Sequence, residues 1–398
     1  MKLVQFGAGN IGRSFIGQLF ARAGYEVVFV DVSEPILAAL NSERRYRVVV
    51  KRDGRADDTI WIENVRGVDG RDREAVAREI ADADIAATAV GQRALPAVLP
   101  TLARGLALRR ERHGDRPLDV IIAENLHSAA DHFRRELARC LPPDFQLDRM
   151  VGLVETSIGK MVPIMREEDV RHDPLWVFAE PYNTLIVDKH GFRNPIPAIA
   201  DLRAMDNMKA YVDRKLFVHN LGHAAAAYFG YRAAPEATLI ADVLARPDVL
   251  AATRRAMEES AAALAREYPA DLAPAALGEH VDDLLARFAN RALGDTVYRV
   301  GRDLYRKLSR ADRVVGSLLL CKKHGLPARE IARVFRAALD FRARDERGDL
   351  FPDDARFVTE ELPRGLAHVM THVSGLLPDD PTDAAARAEI EAAAGKSA

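Results

Sequence analysis

The stretch Asp213-Arg214-Lys215-Leu216-Phe217-Val218-His219-Asn220-Leu221-Gly222-His223-Ala224 places an amine, an amide and two imidazoles inside an otherwise apolar helical pattern. On an α-helix Lys215 and His223 point about 80° apart and Lys215 and Asn220 about 140° apart, so all three can border one cleft. An amine whose pKa is lowered by burial or by a neighbouring cation takes a proton from an alcohol. An amide and an imidazole beside it hold the oxygen as charge develops there. That is equipment for oxidising an alcohol next to a hydride acceptor. The same residues also suit a helix with a snorkelling lysine and two satisfied core histidines, and spacing does not choose between the two. His219 lies about 40° from the Lys215 direction, so either histidine could face a substrate. His219 and His223 have metal-ligand spacing, but the glutamate of an HExxH helix is missing and no third ligand stands out, so no metal is expected. His368 and His372 repeat the spacing in a stretch that reads as surface or core.

A hydride acceptor needs a seat. Lys2-Leu3-Val4-Gln5-Phe6 reads as a short buried strand that runs into Gly7-Ala8-Gly9-Asn10-Ile11-Gly12 and then a helical pattern. In such a unit the first glycine permits the tight turn, the second lets the backbone approach a pyrophosphate, and the third lets the helix pack on the strand. The free N–H groups of the helix start face the phosphates. A lone GxGxxG is common by chance, so context decides. A second strand, Glu26 to Val30, ends at Asp31, nineteen residues after the last glycine. A carboxylate there accepts from ribose hydroxyls and repels a 2′-phosphate, and Val32-Ser33-Glu34 offers no arginine to welcome one, so NAD is expected rather than NADP. The alternative for Asp31 is a cap or turn residue ahead of Pro35.

The elements that would position these groups follow in order. A helix pattern at Ile36 to Asn41 leads to strand-like runs at Tyr46 to Lys51 and Thr59 to Val65. Then come a helix at Ala75 to Ala83, a buried strand from Asp84 to Gly91, a helix at Leu95 to Arg109, a strand at Leu118 to Ala123 and a helix at Ser128 to Cys140. Alternating strands and helices imply a parallel, doubly wound sheet, whose ligands collect beyond the carboxyl ends of the strands. Thr88, Gly91 and Asn125 fall at that edge, although each also suits a cap or a turn. Met150 to Ile158 and Leu175 to Val187 read as further strands. From about Leu202 onward the pattern is helical, with period 3.6 in Ala210–Phe229, Ala234–Ala245, Val249–Glu267, Gly278–Ala292 and Asp312–Lys323. The chain beyond Pro378 reads as a helix that frays at its end. The expected architecture is an α/β Rossmann-type doubly wound domain over residues 1–200, followed by an all-α domain over 201–398.

Composition permits this and narrows the function. The chain has 398 residues, 48% of them hydrophobic, which is ample for two cores. A net charge of −2 gives no field to draw nucleic acid or an anionic membrane, and no apolar run approaches a membrane span. Cys140 and Cys321 are far apart and without metal spacing, and a glycine turn interrupts the N-terminus where a signal peptide would be, so the cytoplasm is expected. Ten of the 57 basic residues are lysine, which makes a lysine in an apolar helix informative.

Three motifs together carry a family resemblance: KLVQFGAGNIGRSFIG at the N-terminus, the Lys215, Asn220 and His223 pattern within DRKLFVHNLGHA, and the later GRDLYRKLSRADR. In this order, over nearly the whole chain, they resemble the polyol-specific long-chain dehydrogenases. The resemblance implies a Rossmann domain with a helical C-terminal domain and no zinc. It further implies that Lys215 is the base, that Asn220 and His223 hold and polarise the reacting oxygen, and that Asn125, in IIAENLHS, lies beside nicotinamide and substrate. The pyrophosphate turn would comprise Phe6, Gly7, Ala8, Gly9, Asn10, Ile11 and Gly12, with Asp31 on the ribose and Thr88 and Gly91 along the crevice. The implied reaction is NAD-dependent interconversion of a sugar alcohol phosphate and its ketose phosphate, with mannitol 1-phosphate and fructose 6-phosphate as the first expectation.

One segment departs from the pattern. Where the phosphate-using members carry a Val-Asp-Ser-Ala-Val-Asp-Arg-Ile-Val-Pro type of run, this chain has Val154 to Pro163, with Glu155 for the aspartate and Lys160 for the arginine. A phosphorylated substrate needs a cationic clamp, for which Arg302 and Lys307 come first and Arg306 and Lys160 follow. Each of these also suits a structural ion pair. Rival readings are an unphosphorylated polyol, a hexuronate, or a non-catalytic NAD(H)-binding sensor. The sequence leaves the oligomeric state open.

Overall fold

The structure is a computed structural model that describes residues 1–126, 128–163, 165 and 167–393. Two compact units divide the chain, Met1–Met208 and Lys209–Ala398.

Among the described residues the first unit holds eleven strands: β1 (Lys2–Phe6), β2 (Glu26–Asp31), β3 (Arg45–Val50), β4 (Asp58–Glu63), β5 (Val65–Asp69), β6 (Ile85–Thr88), β7 (Leu118–Ile122), β8 (Val151–Ser157), β9 (Val177–Ala179), β10 (Leu185–Asp188) and β11 (Leu202–Met205). Eight form one sheet in the order β11-β10-β8-β7-β6-β1-β2-β5. The six strands from β8 across to the β5 edge are parallel, whereas β10 runs antiparallel to β8 and carries β11 at the opposite edge. The chain starts at the centre, winds outward through β2 and β5, and returns to β6 on the other side of β1. The switch point therefore lies between β1 and β6, where a doubly wound sheet opens its ligand crevice. Both faces are covered, so the strands are apolar without alternation: Leu3, Val27 and Phe29 enter one core, Val4, Val28 and Val30 the other.

The remaining strands form a small sheet, β4-β3-β9. It braces the glycine-turn helix. The hydroxyl of buried Tyr46 on β3 donates to Arg13 O at 2.7 Å, and the Arg13 guanidinium donates to Ala8 O at 2.6 Å and Pro174 O at 3.0 Å.

Three sequence expectations fail for identifiable reasons. Thr59 to Val65 is not one strand, because Asn64 adopts a left-handed φ of 60° and hands the chain from β4 to β5 in a different sheet. Leu175 to Val187 divides into β9 and β10 on either side of Pro181, which has no N–H for a ladder. Leu202–Met205, read as the start of the helical region, is a strand, because pairing with β10 decides so short a segment.

The glycine turn is dictated by contact. Gly7 has φ +90°, and a Cβ there would lie 2.4 Å from Ala89 O, just past β6. A Cβ on Gly12 would lie 2.0 Å from Gly7 O, whereas one on Gly9 would meet nothing within 4 Å. Two glycines thus let backbones touch at the switch point, and the third faces open space. The helix behind the turn passes through a π-turn at Gly12–Gly17 before Gln18–Arg22.

The second unit is helical. Met208–Arg214, Lys215–Asn220 and Leu221–Ala233 form one continuous helix, and its later part, including Leu221, Ala224, Ala225, Ala226, Ala227 and Tyr228, is buried on all sides. Pro247–Glu267, Pro274–Phe288, Arg313–Lys323 and Arg329–Leu339 are the longer helices of the bundle. The expected helix at Ala234–Ala245 shrinks to Ile240–Leu244, because Leu239 bridges to Thr296. Pro381–Ala392 is the last helix, and the expected fraying falls on residues 394–398, outside the described residues.

Gly12→Ala should therefore destabilise the first unit by about 1–3 kcal/mol, since its methyl meets backbone rather than a movable side chain. Urea denaturation measures this; an unchanged midpoint would show that the turn relaxes freely.

Candidate active site

The helix carrying Lys215 is not a regular α-helix. Lys215–Asn220 is a π-turn, closed by i→i+5 hydrogen bonds. Residues five apart therefore stand one turn above the other, and Lys215 and Asn220 come closer in direction than the 140° of the α-helical count. The packing around this wide turn is close: a Cβ on Gly316, in the helix Arg313–Lys323, would lie 2.6 Å from the Phe217 ring. From that same helix Arg313 reaches back to Asn220 O at 3.5 Å, while its Nε donates to Asp312 Oδ1 at 2.8 Å.

Lys215 is partly buried, and its amine makes no hydrogen bond or ion pair among the described residues. Burial first, and then the Arg313 guanidinium, lower its pKa to about 8. The Asn220 side-chain amide is likewise without a partner among the described residues.

His223 Nε2 is buried without a hydrogen bond among the described residues, 3.4 Å from Asp295 Oδ2. Its ring stacks on Phe288 with centroids 4.6 Å apart and planes 3° from parallel. Burial, with Arg299, Arg313, Lys307 and Arg287 adding repulsion, pushes its pKa down to about 3. His219 is buried deeper, its ring 5.4 Å from Phe288, and its pKa falls well below the ordinary value, by burial and then by Arg287, His223, Lys215 and His280. Both imidazoles are neutral near pH 7.

The cationic segment beyond this helix divides by function. Lys307 is buried and donates to Val300 O at 2.7 Å and to Arg302 O. Arg306 pairs with Asp303 and Asp312. Arg302 makes no ion pair among the described residues; its guanidinium stands 5.5 Å from the Tyr298 ring and 5.3 Å from the Phe351 ring. Sequence reasoning missed Asp295, which faces His223 and pairs with Arg299. It also missed Arg313, the last residue of GRDLYRKLSRADR and the cation that acts on Lys215. The motif contained the signal for Arg313; nothing in the pattern marked Asp295.

In the first unit, Asp31 ends β2. One carboxylate oxygen accepts from Ala8 N at 2.7 Å and the other from Val32 N and Ser33 N, so the side chain grips the glycine turn and keeps an acceptor site to spare. Phe6 ends β1, and Asn10 and Ile11 open the helix beyond Gly9. Thr88 ends β6, Gly91 follows at φ +80°, and Asn125 lies past β7 with its carbonyl accepting from the Gln92 side chain at 2.6 Å. Buried Glu124, also unforeseen, accepts from Val90 N at 2.9 Å and Gly91 N at 2.8 Å and so ties the two strand ends together. The departing segment is structural in part. Glu155 accepts from Ala130 N at 2.8 Å at the start of the helix Ala129–Cys140. The Lys160 amine is buried and donates to Tyr182 O and Asn183 Oδ1, each at 2.8 Å. Among the described residues no group of three or more His, Cys, Asp or Glu side chains gathers where a metal ion could be held, and no helix is long and apolar enough to cross a membrane.

Comparison with known proteins adds independent findings. Residues 1–201 match the family model of the mannitol dehydrogenase Rossmann domain, and residues 207–370 that of the mannitol dehydrogenase C-terminal domain. A mannitol-1-phosphate 5-dehydrogenase of Brevibacillus brevis is 36% identical over 343 residues, covering 86% of each chain. A solved structure of Pseudomonas fluorescens mannitol 2-dehydrogenase, in ternary complex with NAD and D-mannitol, aligns with a TM-score of 0.72 at 16% identity. That alignment covers 99% of this chain and 91% of the other, and shows a shared fold.

Two titrations check the electrostatics without any assay. Competitive acylation of Lys215 should show half-reaction near pH 8, against about 10.4 for an ordinary lysine. Ring resonances of His223 should stay in the neutral position from pH 8 down to pH 5; a midpoint near 6.5 would mean that water reaches the ring.

Proposed function

The chain belongs to the mannitol dehydrogenase family, which it matches in both domains, and from that premise we propose that it is an NAD-dependent oxidoreductase acting on the CH–OH group of a sugar alcohol phosphate. D-Mannitol 1-phosphate going to D-fructose 6-phosphate, and the reverse reduction, is the reaction favoured by the relative at 36% identity. One observation carries the mechanism: Lys215, Asn220 and His223 present an amine, an amide and an imidazole nitrogen, none of them hydrogen-bonded to protein among the described residues, on one helix.

The first unit fits a dinucleotide. Gly9 borders open space where a pyrophosphate would lie, the N–H groups of the helix start sit behind it, and Asp31 has acceptor capacity left for a ribose hydroxyl. Bound there, NAD would supply the acceptor for the hydride leaving the carbinol carbon. The chain's own residues manage the proton and the oxygen. The free amine of Lys215 takes the hydroxyl proton, Asn220 donates to the oxygen as it becomes a carbonyl, and the neutral His223 ring, held flat by Phe288, fixes the oxygen from a second direction. In reduction the protonated amine returns the proton. By the family likeness Asn125 would contact the nicotinamide and substrate, and Arg302 would be the cation for the substrate's phosphate. An unphosphorylated polyol is the second reading, favoured by one observation: Lys160 and Lys307, two of the candidate phosphate cations, are engaged by backbone carbonyls.

Four outcomes are expected. In a panel of polyols, polyol phosphates and hexuronates followed by reduced-nicotinamide absorbance, mannitol 1-phosphate should give the highest kcat/KM; a faster free polyol would establish the second reading. Lys215→Ala should lower kcat by about 10²–10⁴ with NAD affinity preserved. Below pH 8 the amine is protonated and cannot accept, so kcat/KM for oxidation should fall tenfold per unit on the acid side of about 8 and level above it. Asp31→Ser should weaken NAD more than NADP; equal losses would remove its ribose role.

A further inference from the structure

The backbone between residues 300 and 304 is held group by group by buried side chains. Lys307 Nζ donates to Val300 O and Arg302 O, the Tyr228 hydroxyl donates to Gly301 O at 2.9 Å, and Asp354 accepts from Asp303 N at 3.0 Å and Leu304 N at 2.7 Å. Asp303 is held at a φ of 75°, in the left-handed region that Asp enters more readily than most non-glycine residues. Tyr228 is fully buried and Asp354 and Lys307 nearly so, and Gly301 presses on the Phe341 ring so closely that a Cβ would lie 2.2 Å from it. Within this held segment stands the half-buried Arg302, whose guanidinium rests near Tyr298 and Phe351 without a carboxylate partner among the described residues.

Burying the polar ends of Asp354 and Lys307 is costly, and here both are committed to the backbone of five residues. Neither contacts the other in a hydrogen bond; both spend themselves on the backbone flanking Arg302. A guanidinium presents a rigid fork that suits a phosphate bidentately, and its selectivity depends on how firmly the fork is aimed. We infer that Asp354, together with Lys307 and Tyr228, is a positioning residue for an anion-reading Arg302, and that this segment distinguishes phosphorylated from free polyols. The inference rests on the proposed polyol-phosphate reaction for its substrate class, but the anion site is open to test by itself.

The test pairs kinetics with direct binding. With NADH saturating, so that the coenzyme site is filled, calorimetry with inorganic phosphate should show binding to the wild type that Asp354→Asn weakens by about tenfold, the loss of roughly one well-aimed charge-assisted hydrogen bond. The same variant should raise KM for mannitol 1-phosphate about tenfold, leave kcat within about twofold, and leave KM for D-mannitol unchanged. Arg302→Gln should lose at least as much, and the double variant no more than Arg302→Gln alone, because Asp354 acts through Arg302. Should Asp354→Asn fail to fold, Tyr228→Phe, which removes one hydroxyl, carries the same expectation at about threefold. Unaltered phosphate binding in these variants, additive losses in the double variant, or equal losses on phosphorylated and free polyols would overturn the inference. A wild type that binds phosphate through Arg302 but oxidises no polyol phosphate would instead sink the proposed reaction and leave the anion site standing.

Discussion

A lysine amine kept in a partly buried place with no counter-ion among the described residues is the constraint around which the helical unit is arranged. The carboxylates beside Lys215 in sequence and those facing its neighbours Arg313 and His223 are each committed elsewhere. Asp213 is engaged by Lys209 and by the Tyr268 hydroxyl, Asp312 by Arg313 and Arg306, and Asp295 by Arg299. With those carboxylates committed, burial away from water and then the nearby Arg313 guanidinium lower the pKa of the Lys215 amine to about 8. The same desolvation keeps His219 and His223 neutral, so the helix offers hydrogen-bonding groups rather than fixed charges.

The sheet unit depends on contacts of a different kind. Its crevice exists because Gly7 and Gly12 let three backbone segments meet at the switch point, while Asp31 ties the end of β2 to the glycine turn and Glu124 ties the loop after β6 to that after β7. Arg13 and Tyr46 extend that bracing to the small sheet, so the turn is held from below as well as from its sides.

Much of this was legible in the residues. The strand, glycine turn and helix at the N-terminus, the alternation of strands with helices, and the amine-amide-imidazole helix all follow from local pattern, because each is a short-range signal. What could not be read is where nonlocal pairing or an unusual turn decides. Asn64 breaks a run that looks continuous, and Leu202–Met205 takes its form from β10. The angular count between Lys215 and Asn220 assumed an α-helix and met a π-turn. Lys307 and Lys160 read as cations for a ligand, and their amines are found donating to carbonyls; charge is visible in a sequence, whereas the partner it has chosen is not.

A widened turn is a defect that can slide. Moving it along the helix by one residue would keep every strand of chain in place and still rotate whatever lies on one side of it relative to the other. Here the slide is blocked: the Phe217 ring is seated in the gap left by Gly316, and Arg313 holds the carbonyl at the turn's end. The angle between the groups before and after the turn is thus locked by a neighbouring helix rather than by the helix they stand on. A bulkier residue at position 316 would therefore change the aim of side chains that it never touches.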